Sequence, residues 1–130
     1  MTTATAMTTA TATATETTSA DGAAPGQSAP IRVILRMEVF PEMAADFEKV
    51  WLTIGEAIAT EPANLGQTLV KSNEAVGLYF VFTEWTTEKE FRDFEVSARH
   101  TLHRQKLKPY RRSGAMDVTE VVFRLEPTGR

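Results

Sequence analysis

The chain has 130 residues, which is enough for one ordinary domain and too short for two. Its 14 Lys and Arg residues against 17 Asp and Glu residues give a formal charge of −3, which argues against a nucleic-acid-binding domain, where a basic surface is expected. The absence of cysteine excludes disulfides, thiolate metal sites, iron–sulfur clusters and a catalytic thiol, and two histidines are too few for a metal site built mainly from imidazole.

Residues 1–29 differ in composition from the rest of the chain. The first 20 residues contain ten Thr and six Ala, and Gly and Pro follow without apolar periodicity. Such a segment buries too little apolar surface to offset the entropy of ordering, so we predict a disordered tail. It has neither the positive start nor the apolar run of a secretory signal, and no stretch reaches the ~18–20 apolar residues of a membrane span. We therefore expect a cytoplasmic protein that does not associate with membranes.

A strand and a helix are predicted at the start of the ordered part, which we place at residues 30–126. Ile31–Phe40 is rich in β-branched and large apolar residues, which predicts a strand. Pro41 cannot continue the strand ladder and suits the first turn of a helix that ends near Pro62. Apolar residues recur there at three- and four-residue spacing and predict one buried face: Met43, Phe47, Val50, Trp51, Ile54 and Ile58.

The rest of the ordered part contains three further predicted strands and a second helix. Leu65–Lys71 and Val76–Trp85 are predicted strands, and Met116–Leu125 is predicted as a fourth. Thr87 and Glu90 form a capping box that opens the intervening helix. Its predicted buried residues are Phe91, Phe94, Ala98 and Leu102. The order β-α-β-β-α-β predicts an α+β domain of ferredoxin-like topology with a four-stranded antiparallel sheet, followed by a C-terminal tail at residues 127–130.

The third predicted strand is apolar on both faces. Alternation places Leu78, Phe80 and Phe82 on one face and Tyr79, Val81 and Trp85 on the other. Two helices cover only one face of such a sheet, so the second face must be buried by something else or remain an apolar solvent face. We expect a homodimer that packs sheet to sheet.

Few residues outside the core suggest chemistry. The chain has no dinucleotide-binding or phosphate-binding glycine motif and no serine in a nucleophile elbow. His100 and His103 lie one helical turn apart, and with Glu84 or Glu95 they could form a two-His-one-carboxylate metal site. We expect no metal ion at this position. We predict instead that one of the histidines donates a hydrogen bond or transfers a proton in a cavity.

Two further features admit a structural and a functional interpretation. Six basic residues and no acidic residue lie between Arg99 and Arg112, and they either complement the end of a helix or dock an acidic partner such as a carrier protein with a tethered substrate. Arg36 lies among apolar residues of the first strand, where it either extends to solvent at an edge or pairs within a cavity or interface. Trp85 ends its strand, where its indole N–H could donate to a ligand oxygen.

The segment FTEWTTEKEFRDFEVSARH, residues 82–100, resembles the signature of the antibiotic biosynthesis monooxygenase domain family. It combines a strand that ends in Trp, a capped helix with spaced aromatic residues, and Ser-x-x-His. PEMAADFEKVW is similar to the family's first helix, and PANLGQTLVKS and HRQKLKPYR resemble small members associated with aromatic polyketide and spore-pigment pathways of actinomycetes. The resemblance covers about residues 30–126.

The resemblance implies a dimeric α/β-barrel with an apolar cavity between sheet and helices in each subunit. It also implies oxidation of an anthrone-type or phenolic polyketide ring to a quinone by O2, with no flavin, metal or other prosthetic group. A polyketide ring cyclase on the same fold and a non-catalytic dimeric accessory protein are the alternatives.

The family motif assigns the candidate site residues. Trp85 matches the cavity tryptophan and would donate to a substrate oxygen, and His100 matches the helix histidine and would assist deprotonation or hold a phenolate. Several family oxygenases have an asparagine on a cavity-facing strand, and the first and third strands here have none. The residues expected to contribute to substrate binding are Asn64, Arg36, Tyr79, His103 and Arg104.

Overall fold

The computed structural model describes residues 30–129, so the tail predicted at residues 1–29 lies outside it. Short 3-10 turns precede the first helix and the last strand. The helices and strands are β1 (Ile31–Val39), α1 (Ala44–Ile58), β2 (Asn64–Lys71), β3 (Leu78–Trp85), α2 (Glu88–Glu95), α3 (Ala98–Leu107) and β4 (Arg111–Glu120).

The four strands form one antiparallel sheet in the order β2-β3-β1-β4. The central pair β1 and β3 aligns Ile31 with Trp85 and Met37 with Tyr79. The α+β ferredoxin-like prediction is therefore confirmed, with the two edge strands contributed by the two halves of the chain. No helix within residues 30–129 is both long and apolar enough to cross a membrane.

The predicted second helix is in fact two helices. Ser97 adopts an extended backbone (φ −70°, ψ 154°) and its Oγ accepts a hydrogen bond from the His100 backbone N–H, which caps a new helix. Because α3 starts afresh after this break, the apolar stripe of α2 does not continue along it. Leu102, predicted to be buried, is 58% exposed. The break instead turns His100 and His103 toward the ring of Phe94.

The last strand begins and ends five residues earlier than predicted. β4 pairs with β1 from Val39 opposite Arg111 to Ile31 opposite Glu120. β1 begins at Ile31, and beyond this pair the Val121 N–H donates to the Pro30 carbonyl at 3.4 Å before the apolar segment leaves the sheet. Val122, Phe123 and Leu125 are largely exposed as a result.

The helices cover one face of the sheet and bury the core. The alternate residues of β1 and β3 on that face pack against α1 and α2, with Val33, Phe47 and Trp85 among the most deeply buried side chains. Trp51, assigned to the core from its place in the helical stripe, is only half-buried. No helix in the described part of the chain covers the other face, which carries Ile34, Val70, Leu78, Phe80 and Phe82.

Candidate active-site cavity

A cavity of about 300 Å³ lies between the helix-covered face of the sheet and the helices. This volume is at the lower end of the range of small-molecule sites. Its walls are mainly apolar and include Val33, Met37, Ile54, Val81, Phe91 and Leu107. Its polar lining residues come from β2, β3, α2, α3 and β4, so the cavity combines apolar walls with a few hydrogen-bonding groups.

Trp85 forms part of the cavity wall at the end of β3. Its ring stacks on Phe94 with centroids 4.8 Å apart and meets Phe91 at 5.7 Å, and the residue is 1% exposed. The indole Nε1 is buried and has no hydrogen-bond partner among the described residues. A buried donor without a partner costs about 1–3 kcal/mol, so an acceptor atom on a bound ligand would be favoured here.

His100 and His103 line the same cavity from α3. The His100 ring lies 4.6 Å from Phe94 and 5.8 Å from His103, and neither Nδ1 atom has a hydrogen-bond partner within residues 30–129. Burial, with a smaller contribution from the nearby Arg104, lowers the pKa of His100 to about 4. Burial also lowers the pKa of His103. The imidazole of His100 is therefore neutral at pH 7 and can accept a proton.

Arg104 and Arg111 bring positive charge to the cavity lining. The Arg104 guanidinium donates to the backbone carbonyl of Glu95 at 3.1 Å, which holds it against the end of α2. Glu95 also lines the cavity, and its carboxylate forms an ion pair with Arg92 at 3.1 Å. The two arginines thus favour a ligand that carries or develops negative charge.

Three of the residues predicted to bind substrate do not line the cavity. Arg36 lies on the opposite face of the sheet, because it alternates with the buried residues of β1, and pairs with Glu38 at 3.1 Å. Tyr79 is buried, but its hydroxyl donates to Glu48 at 2.6 Å; burial and this hydrogen bond raise its pKa to about 12. Asn64 reaches the site indirectly, through a hydrogen bond from its Nδ2 to Thr83 Oγ1 at 3.1 Å.

Thr83 lines the cavity and was missed in the sequence. The signal was available, because Thr83 lies between Val81 and Trp85 on the same alternation of β3 and is the one polar position among them. Its polarity on an otherwise apolar strand face marks a position where a hydrogen bond is needed.

The structure also locates the groups considered for a metal site. Glu84 lies on the open face of the sheet. Hydrogen bonds from Arg124, which has the larger effect, and from Arg32 lower the pKa of its carboxyl. It is therefore on the opposite side of the sheet from both histidines. Within residues 30–129, no group of three or more His, Cys, Asp or Glu side chains is arranged to hold a metal ion.

The basic residues between Arg99 and Arg112 do not form one continuous free surface. Arg99 forms an ion pair with Glu61 at 2.8 Å, and Arg104 and Arg111 belong to the cavity lining. Lys106 and Arg112 form no ion pair with another residue of the described part of the chain. Part of this set of basic residues is thus engaged within the protein, in an ion pair or in the cavity lining.

Solved structures similar to this one share its architecture at low sequence identity. A protein of Caulobacter crescentus, described as a candidate antibiotic biosynthesis monooxygenase, superposes with a TM-score of 0.69 at 23% identity, covering 75% of this chain and 93% of its own. SnoaB of Streptomyces nogalater, described as a cofactor-independent oxygenase, has a TM-score of 0.67 at 19% identity, covering 76% of this chain and 99% of its own. These likenesses support the fold.

The sequence itself carries the family relationship. A comparison with curated proteins found no match. The sequence model described as antibiotic biosynthesis monooxygenase matches residues 30–106, which run from β1 to one residue before the end of α3 and include Trp85, His100 and His103. More than half of the chain is covered by this match. The protein is therefore a member of the antibiotic biosynthesis monooxygenase family.

Proposed function

We propose that this protein oxidises a phenolic or anthrone-type polyketide ring to a quinone with O2 and without a prosthetic group, in an aromatic polyketide or spore-pigment pathway. The observation that carries the proposal is that the buried indole N–H of Trp85, which has no partner within residues 30–129, and the neutral imidazole of His100 belong to residues lining the same apolar cavity. Membership of a monooxygenase family supports the reaction class, and the description of SnoaB as cofactor-independent supports the absence of a prosthetic group.

The proposed reaction begins with loss of a proton from the ring, which creates an electron-rich phenolate or enolate. The indole N–H of Trp85 donates to the oxygen on which the charge develops, and the His100 imidazole accepts the proton. Although the pKa of His100 is about 4 in the free protein, an adjacent anion favours the imidazolium and raises the proton affinity of the ring nitrogen. The positive charge of Arg104 stabilises the same anion from the cavity lining.

The substrate then supplies the electrons that reduce oxygen. The carbanion centre transfers one electron to O2, and the resulting radical and superoxide combine to form a carbon–oxygen bond. The peroxide takes up the proton held by His100 and loses water, so one ring CH2 and one O2 become one C=O and one H2O. The apolar walls keep bulk water from intercepting the anion and the radical pair.

Oxygen uptake tests this proposal directly. Chelator-treated protein is given dithranol, and O2 consumption and quinone absorbance are recorded without added flavin or metal. We expect uptake above the uncatalysed rate, with one O2 consumed for each quinone formed. If the protein does not increase O2 uptake with several anthrone and phenol rings, the oxygenase proposal is contradicted. The alternatives are then the ring cyclase, whose aldol closure consumes no O2, and an accessory role.

We also propose that the protein is a homodimer formed through the open faces of two sheets. This face carries Phe80 and Phe82 at its centre, and no element of the described chain covers it. The exposed apolar residues Val122, Phe123 and Leu125 follow the end of β4 and would add to the surface that a partner buries. An uncovered apolar area of this kind favours self-association.

Phe80→Lys is expected to convert this dimer to a monomer. Phe80 lies opposite Arg36 on β1 and Val70 on β2, so a lysine places a second cation beside Arg36 in the middle of the proposed interface. Light scattering coupled to size-exclusion chromatography should show half the mass. Val76→Lys, at an exposed position before β3, serves as the control and should leave the mass unchanged. Equal masses for the wild type and Phe80→Lys would contradict this interface.

An acidic carrier protein remains a proposed partner for the basic residues that are not used internally. Lys106 lies on α3 near His103, which lines the cavity, so a carrier bound at Lys106 would hold a tethered substrate close to the cavity, whereas Arg112 lies near Glu38 on the open face of the sheet. Charge attraction of this kind increases the association rate and weakens with salt.

A further inference from the structure

Thr83 is an unusual polar residue in the core of this protein. It is 5% exposed, and apart from the aromatic residues Tyr79 and Trp85 it is the only buried residue with a polar side chain in the described part of the chain. It lines the cavity, two residues before Trp85 on the same face of β3. A hydroxyl is retained in such surroundings at a cost unless both its donor and its acceptor functions are used.

The orientation of the Asn64 amide determines whether the Thr83 hydroxyl remains free to donate a hydrogen bond or to accept one. Asn64 Oδ1 accepts from the Gly66 backbone N–H at 3.1 Å, and a backbone N–H can only donate. Asn64 Nδ2 donates to the Glu84 backbone carbonyl at 3.4 Å, and a carbonyl can only accept. The two backbone groups therefore fix the amide in one orientation, with its NH2 group toward Thr83.

Thr83 Oγ1 must consequently accept from Asn64 Nδ2, at 3.1 Å. Its own proton then points away from Asn64, and within residues 30–129 it has no acceptor. Thr83 and its register partner Gln67 both line the cavity, so an acceptor atom of a ligand bound there can take up that proton. Asn64 thus turns a hydroxyl that could donate or accept into a donor.

From this arrangement we infer that Thr83 donates a hydrogen bond to a second oxygen of the bound ring, and that Asn64 is the positioning residue that orients its hydroxyl. Trp85 supplies the other donor, and two positions along one strand are about 7 Å apart. The ligand class that satisfies both is a planar ring with acceptor oxygens on separate edges, such as a quinone or a hydroxylated ring ketone. The inference rests on the proposed function only in placing the ligand in this cavity.

Equilibrium binding to two probes tests the inference without any turnover. 1,4-Naphthoquinone carries carbonyl oxygens on opposite edges of one ring, and naphthalene has the same ring system with none. Equilibrium dialysis measures the dissociation constant of each. Thr83→Val removes the hydroxyl at nearly constant shape and should weaken naphthoquinone binding about tenfold, with naphthalene binding unchanged within about twofold.

Thr83→Ser keeps the hydroxyl and should bind naphthoquinone within about threefold of the wild type. Thr68→Val, on β2 and on the opposite face of the sheet, is the matched control and should bind both probes as the wild type does. Melting temperatures identify a variant that is misfolded. Should Thr83→Val fail to fold, a wild-type-like Thr83→Ser and the Asn64 variant below still decide the question.

Asn64→Asp tests the positioning role. At pH 8 its carboxylate can only accept, so the Thr83 hydroxyl turns its proton toward Asp and no longer serves the ligand. We expect about a tenfold loss of naphthoquinone affinity in the wild-type background and less than about a twofold further loss in Thr83→Val, because both changes remove the same hydrogen bond. A merely structural effect of Asn64→Asp would weaken both probes and would add to the effect of Thr83→Val.

The outcomes separate this inference from the proposed oxygenase activity. Unchanged naphthoquinone binding in Thr83→Val, or additive losses in the double variant, would overturn the inference even if O2 uptake is observed. The expected binding pattern without O2 uptake would support the two-donor site and contradict the oxygenase. The pattern with uptake supports both.

Discussion

Trp85→Phe is expected to lower kcat/KM for oxidation of an anthrone or phenol about 100-fold. Trp85 lines the cavity and its buried indole Nε1 has no hydrogen-bond partner within residues 30–129, so we expect it to donate to an oxygen on which charge develops. Removal of one such donor from a site that stabilises an oxyanion costs about 100- to 1000-fold in rate. We expect the lower end of this range, because Thr83 and Arg104 also line the cavity and remain in place.

The same substitution should have only a small effect on stability. Phenylalanine retains an aromatic ring for packing on Phe94, which lies 4.8 Å away, and it removes the unsatisfied N–H. The lost packing area is thereby partly offset, and we expect the free energy of unfolding to fall by less than about 2 kcal/mol. Trp85→Ala, which leaves a cavity, should lower it by about 3–5 kcal/mol.

Steady-state O2 uptake and urea unfolding measure the two effects. Phe47→Leu is the control, because Phe47 is fully buried and does not itself line the cavity. It should lose stability and keep kcat/KM. If Trp85→Phe and Phe47→Leu lose activity in proportion to their loss of stability, Trp85 has no role as a donor.

The fold was accessible from the sequence because its elements have strong and different periodicities. The alternation in β3 and the three- and four-residue spacing in α1 each identify a buried face without knowledge of the other elements. The predictions were wrong where the local sequence is equally compatible with two structures. Ser97 can continue a helix or cap a new one, and the apolar segment after Glu120 can extend a strand only if β1 offers a partner.

The candidate site was predictable only in part, because its composition depends on which faces of the strands and helices pack against each other. Trp85, His100, His103 and Arg104 all line the cavity. Arg36, predicted to bind substrate, lies on the other face, as strand alternation requires. The link from Asn64 to Thr83 joins the start of β2 to β3, and no local pattern reports the register that brings the two residues together.

His100 should make the stability of the protein depend on pH between about 4 and 6.5. Its pKa is lowered from 6.5 to about 4 in the folded protein, mainly by burial. As the pH falls below 6.5 the unfolded chain binds a proton that the folded chain does not, so the free energy of unfolding decreases until the pH reaches about 4. The full pKa difference corresponds to about 3 kcal/mol, and solvent screening of the partly exposed ring reduces this to about 1–2 kcal/mol.

His100→Phe removes this dependence and should also impair catalysis. Between pH 7.5 and 4.5 the variant should lose about 1–2 kcal/mol less stability than the wild type, measured by urea unfolding, because the carboxylates common to both proteins cancel in the difference. Loss of the proton acceptor should lower kcat/KM about 100-fold at pH 7. In the wild type, kcat/KM should stay level from pH 7 to 5 and fall near pH 4, since the free imidazole is neutral above that pH. A decline centred near pH 6.5, or equal pH dependence of stability in the two proteins, would show that the imidazole is solvated as an ordinary surface histidine and would remove it from the proposed mechanism.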